Sequence, residues 1–529
     1  MLKRWNWLFI ALGVVLIAAS LAASAQLEVV WGEDRDDLAT LDPRITQSRH
    51  ELQVIRQVFD SLITLDEAGN PSPWLAESWE IADDFTSITF TLKSGILFHD
   101  GTSCNADAFK FTYDTIADPA TGSQAAIDYL GPYKGTVVHD DLTFTVEYTR
   151  PYGAMVSGFV LAYLAPVSPT AVRENGDAWF AENPVGTGPF KFVEWVRRSH
   201  ITLTKNPDYN WAPAVAAHNG PAYIDTLGFK FIKENSTRAA ALETGEIHVG
   251  DLMDPLDVMS FEGNPDFDVF LGGVGGVPVT LYLNTSRFPT NDRAVRKALF
   301  YALDLETIVE NVFFGYLKAA TGVLASSTFC YWPGGADYYT YDPAMAESIL
   351  EEAGWVDTNG NGIRDKFGQE LSIYCPIIFK ATLMTAVQAE LRKVGIDLNV
   401  ENVTKARQDE LIMNNQYEAG LVRWVATDPS VLGILMHTDN IPAPGYFKFN
   451  WQQYSSSVVD RLLAEAESAT SPAERCSIYS TLQEIVYDQA LMVPLQETTQ
   501  TVVYAANLTG LRWEVGNYQA IFYDVRLAD

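Results

Sequence analysis

Residues 75–101, LAESWEIADDFTSITFTLKSGILFHDG, constrain the fold more tightly than any other stretch of the chain. Ile88, Phe90 and Leu92 alternate with Thr89, Thr91 and Lys93. That period of two is the pattern of a strand with one buried face. Asp83-Asp84 mark a turn before the strand, and Ser94-Gly95 and Asp100-Gly101 mark turns after it. The pattern returns in DDLTFTVEY from Asp140, where Leu142, Phe144, Val146 and Tyr148 share a face. Between the two strands a helix is expected, capped by Asn105 and carrying Ala108, Phe109, Phe111 and Tyr113.

The N-terminus reads as a targeting segment. Lys3 and Arg4 precede an apolar run from Trp7 to Leu21, and Ala23-Ser24-Ala25 offers a cleavage site, so residues 1–25 are expected to be a signal peptide. The apolar run is shorter than the roughly 20 residues a membrane span needs. A lipid anchor would require a cysteine at the cleavage site, and the first cysteine is Cys104. The expected product is exported, periplasmic or extracellular, soluble and not a lipoprotein. The remaining length is too great for one ordinary domain. Removing Lys3 and Arg4 takes the formal charge from −31 to −33. Such a charge repels nucleic acid and anionic membrane surfaces, so neither is an expected partner. Four cysteines, Cys104, Cys330, Cys375 and Cys476, allow three full pairings that spacing does not decide.

Further along, LEVVW opens the mature chain as a strand. Leu52, Ile55, Val58, Phe59 and Leu62 then recur at helical spacing. PVGTGPFKFVEW at 184–195 and HITLTKNPDYNW at 200–211 read as a hairpin after a Gly186/Gly188 turn, and IDTLGFKFI as a further strand. STRAAALETGE is a helix with Ser236 as its expected cap and Gly245 as its stop. Helices are expected over 340–354 and 381–394, with strands at 371–374 and 396–400. Two more helices lie near the C-terminus, the second beginning at Pro472. No low-complexity linker separates these units, which points to interleaved domains.

Taken in order, LDPRITQSRHELQVIRQVFDSLI, LAESWEIADDFTSITFTLKSGILFHDGTSCNADAFKFTY, PVGTGPFKFVEW with LTKNPDYNW, LYLNTSRFPTNDRAVRKALFYALD, the AGW at Ala353, and VDRLLAEAE with VPLQE resemble the family 5 solute-binding proteins of ABC importers, the peptide/nickel-binding group. The resemblance implies an α/β fold of the type II periplasmic-binding-protein kind, a two-lobe clamp with an inserted extra domain. It places domain I at 26–62, 185–270 and 495–529, domain II at 63–184 and domain III at 271–494. It implies no catalysis and no cofactor. It also implies a monomer that encloses a small-molecule, peptide or oligosaccharide ligand by hinge closure and presents it to a membrane permease.

For ligand contacts the resemblance points to Thr46 and Gln47 on the loop before the first helix. It points also to Arg423, Trp424 and Asp428 in RWVATDPSVLGILMHTDN. The loop from Trp424 to Asp428 is shorter than in peptide-binding relatives, and Asp428 serves equally well as a turn cap before Pro429. Tyr331 and Trp332, on a Gly/Pro-bounded loop, suit stacking on a sugar or peptide group or plain domain packing. Tyr163 is a candidate at the domain II wall.

DTNGNGIRD supplies Asp357, Asn359, Asn361 and Asp365 at calcium-loop spacing, with Gly362 at the sixth place. The twelfth place is Gly368, where a bidentate glutamate belongs, so an Asn/Gly turn is the expectation and a calcium site the alternative. None of the seven histidines forms an H-x-x-x-H or H-x-H pair. His437 and His50 are the two that opposite cleft walls would bring to a metal chelate. No G-x-S-x-G, H-E-x-x-H or P-loop is present, and GGVGG at 272–276 lacks the helix of a dinucleotide site. The leading expectation is a binder of a peptide-like or other organic solute. An oligosaccharide binder, a secreted hydrolase and a nickel or metallophore carrier are the alternatives.

Overall fold

The structure, a computed structural model, describes residues 27–514 and 519–528. The expected signal peptide lies outside the described residues. Among those described, no helix is long and apolar enough to cross a membrane.

A seven-stranded sheet gathers stretches far apart in the chain. Its spatial order is Phe267–Gly273, Thr499–Ala505, Val249–Gly250, Glu28–Glu33, Thr226–Phe231, His200–Lys205 and Phe190–Val196. The first strand is central and runs parallel to both neighbours. Its side chains alternate between two cores. Val29 and Trp31 enter the larger one, and Val30 packs with Ala239, Leu242, Ile247 and Val503 on the opposite face. Each fully buried aliphatic side chain of this kind contributes about 1.5–3 kcal/mol.

The first helix, Arg49–Val58, begins at Ser48, whose side chain accepts from the His50 amide. It is shorter than its sequence period suggests, because Phe59 is already extended and Leu62 leads into the strand Ile63–Leu65. The cause lies 130 residues away. Gly188 N donates to Val58 O at 2.8 Å, and a Cβ at Gly186 would stand 2.2 Å from Val58 O. Two glycines thus let the 184–190 turn close over the helix end. The helix Asn235–Glu243 starts one residue before the expected Ser236 cap. Glu234 is the cap residue and offers no side-chain bond.

The strands expected from the alternating segments pair in a four-stranded antiparallel sheet ordered Ala76–Ile81, Ser87–Leu92, Thr143–Tyr148 and Tyr133–Val138. Phe90 faces Phe144, and Phe109 from the helix Ala106–Ala117 stacks on Phe144 with centroids 5.1 Å apart. A three-stranded sheet, Ala419–Val425, Gly276–Leu283 and Met492–Gln496, forms the centre of a second large core together with the parallel pair Ser372–Ile377 and Asp397–Asn402.

The chain passes between the seven-stranded and three-stranded sheets twice, at 274–275 and at 497–498. Val274 N donates to Thr498 O at 2.8 Å, so the two crossings are tied together. GGVGG is therefore one of two adjacent crossover strands. The structure realises none of the three full cysteine pairings: it has one disulfide, Cys330–Cys476, and leaves Cys104 and Cys375 as buried thiols.

Candidate functional site

The three-stranded sheet presents Arg423 and Trp424 near the end of the strand Ala419–Val425. Trp424 is opposite Val277 in the neighbouring strand. Gly276, at φ 112°, is required beside it, because a Cβ there would meet Trp424 O at 2.0 Å. The Trp424 ring meets Phe449 edge-on at 4.7 Å. Arg423 is half-buried over the Phe379 ring at 5.9 Å. Burial lowers its proton affinity to about 10, helped by the like charges of Arg49 and Arg35 from the seven-stranded-sheet side. Arg423 therefore looks toward the facing lobe.

Lys380 stands next to it electrostatically. It is half-buried, sits at φ 59° immediately before the helix Ala381–Lys393, and lies over the Phe313 ring at 4.5 Å. Burial, and then Arg423, bring its ammonium down to about 8. Among the described residues neither Arg423 nor Lys380 makes a close ion pair, although Asp34 acts on Arg423 and Asp254 on Lys380 at longer range. Two cations held partly out of water without a close partner are poorly satisfied until an anion arrives. Sequence reasoning missed Lys380, since one lysine before a helix carries no local signature.

Asp428 is placed differently from a ligand-facing carboxylate. It is buried, and its two oxygens accept from Arg475 at 2.9 and 3.0 Å while Oδ1 also accepts from Ser430 N at 2.9 Å. No carboxylate is left free there for a ligand ammonium. Thr46 is fully buried, and its hydroxyl donates to Glu51, so that side chain serves the loop; Gln47 beside it is exposed. Tyr163 stacks on Tyr129 at 5.0 Å, and burial, with Tyr129 and Glu51 nearby, raises its hydroxyl pKa.

Tyr331 and Trp332 belong to a packed aromatic group. Trp332 lies 6.2 Å from Tyr338 and 6.0 Å from Tyr487, and Tyr331 bonds Thr321 through the hydroxyl at 2.8 Å. His437 accepts from Asp439 N, while His50 contacts Glu33, so each histidine has its own local partner. In the 357–365 turn, Asp357 accepts from the amides of Gly360, Asn361 and Gly362, and Asp365 accepts from Thr358. Those carboxylates are occupied by the turn itself.

The profile described as bacterial extracellular solute-binding proteins, family 5 Middle, matches residues 70–440. The glutathione-binding protein GsiB of Shigella flexneri serotype 5b (strain 8401) is 27% identical over 509 residues, covering 95% of each chain. GsiB of Escherichia coli (strain K12) is 27% identical over 514 residues, again covering 95% of each. Among solved structures, NikA from Brucella suis in complex with Fe(III)-EDTA superposes with a TM-score of 0.83 at 24% identity, covering 95% of this chain and 100% of that one. The oligopeptide-binding protein AppA from Bacillus subtilis, in complex with a nonapeptide, gives 0.77 at 22% identity, with coverage of 95% and 100%. These likenesses show the type II periplasmic-binding-protein fold, and the profile match over most of the chain shows that it belongs to family 5 of the bacterial extracellular solute-binding proteins.

Proposed function

We propose that the protein captures an organic solute bearing at least one carboxylate, of peptide-like size, between its two main lobes and delivers it to an ABC importer. The observation that carries this reading is the pair of half-buried cations, Arg423 and Lys380, which among the described residues make no close ion pair. The occupied state of Asp428 adds to it, because Arg475 already holds both oxygens of that carboxylate. GsiB is named for glutathione and AppA was solved with a peptide, and both ligands carry carboxylates. Trp424, with the Tyr129–Tyr163 stack on the second-domain wall, supplies flat apolar surface for the rest of the solute. The protein acts as a monomer with no chemistry of its own, in keeping with relatives that are binding proteins.

The aromatic wall favours a second reading, an oligosaccharide, which needs no cation. Thermal-shift screening separates the two. The panel contains di- to pentapeptides, their C-terminal amides, acidic opines, and cello- and xylo-oligosaccharides. Stabilisation by a free-carboxylate compound and not by its amide is expected. Stabilisation by neutral sugars alone, unchanged in Arg423→Gln, contradicts the anionic reading.

A further inference from the structure

Glu33, His50 and Asp251 come from three separate stretches of chain and converge. Glu33 ends the first strand, and Asp251 directly follows Val249–Gly250, which pairs with that strand in parallel through Trp31↔Val249 and Gly32↔Gly250. His50 is the second residue of the first helix. One ligand atom from each lies within 4.8 Å of the other two. All three are buried, at 0%, 2% and 1% exposure. His50 Nδ1 contacts Glu33 Oε1 and is 3.8 Å from Asp251 Oδ2.

The remaining oxygens are held from outside the cluster. Trp31 Nε1 donates to Glu33 Oε2 at 3.0 Å, and Gln500 Nε2 donates to Asp251 Oδ1 at 3.2 Å. Outer hydrogen bonds that fix the carboxylates are the support a metal centre uses. Arg49 donates to both oxygens of Asp251, at 3.1 and 3.3 Å. His50 Nε2 has no hydrogen-bond partner among the described residues.

We propose that Glu33, His50 and Asp251 form a binding site for a divalent transition-metal ion of the zinc class. One imidazole nitrogen and two carboxylate oxygens suit zinc, whereas calcium and magnesium take oxygen ligands in greater number. Arg49, only 16% exposed, competes for Asp251 and stands as the gate. The three ligands are distinct from Arg423 and Lys380, and zinc binding is tested without any solute.

The test is zinc titration by calorimetry, with metal content measured by mass spectrometry, on the purified protein after stripping with EDTA and dialysis. One equivalent of zinc per chain is expected, and His50→Gln and Glu33→Gln each weaken binding at least roughly tenfold. Circular dichroism checks that these variants fold. Arg49→Gln keeps all three ligands and removes their competitor, so it binds zinc at least as tightly as the parent. Absence of stoichiometric zinc, equal binding in folded His50→Gln and Glu33→Gln, or loss of binding in Arg49→Gln overturns the proposal.

Discussion

Asp428 and Arg475 illustrate what a buried pair does to a reading made residue by residue. Both are almost out of water, and the contact is a two-point one. Asp428→Ala strands the guanidinium and is expected to cost about 3–5 kcal/mol, read as a lower urea midpoint. A change near zero would mean the pair is solvated in solution. Asp60 makes stability depend on pH. It is fully buried and accepts from Trp211, Thr187 and Tyr209, yet burial raises it to about 6. The folded state therefore holds this proton more tightly than the unfolded state, so stability falls as pH rises from about 4 to about 6. The effect is at most about 3 kcal/mol. The difference in unfolding free energy between the parent and Asp60→Asn should change over that window; a flat difference contradicts the assignment. Arg423 and Trp424 were named from the resemblance alone, and they lie near the end of the strand Ala419–Val425. The Arg475 partner of Asp428 was not, because it lies 47 residues on and no local pattern links them. Lys380 and the Glu33–His50–Asp251 cluster were hidden for the same reason: only the packing of distant elements brings such side chains together.

Elements were readable where one buried face repeats. Ile88 pairs with Val146 and Phe90 with Phe144, as their alternation implies, since a one-residue slip would turn every apolar side chain to water. The first helix was overread at its C-terminus because Phe59 and Leu62 continue the apolar period, and the Gly186–Gly188 turn that stops it is remote. The aromatic loop was ambiguous for a similar reason. Cys330 ties it to the helix Pro472–Asp488, against which Trp332 packs through Tyr487. The disulfide closes a loop with a sequence separation of 146. Loop-closure entropy of that length is worth about 5 kcal/mol in the chain-entropy estimate. Replacing both cysteines by serine should lower the unfolding free energy by up to about that amount. Unchanged stability would mean the unfolded chain is already compact around this link.

At the scale of the whole molecule, two adjacent crossings at 274–275 and 497–498 join the lobes, and they are bonded to each other. A two-strand connection of this kind permits rotation of one sheet relative to the other while keeping their order. In this account the solute drives that motion by meeting Arg423 and Lys380 from one lobe and the facing wall from the other. The most direct measurement is a double-mutant cycle by calorimetry, using the best free-carboxylate solute, its amide, the parent protein and Arg423→Gln. The amide should bind the parent at least roughly tenfold more weakly, Arg423→Gln should lose a similar factor for the acid, and the two losses should not add. Fully additive losses, or none, would contradict a solute carboxylate held by Arg423.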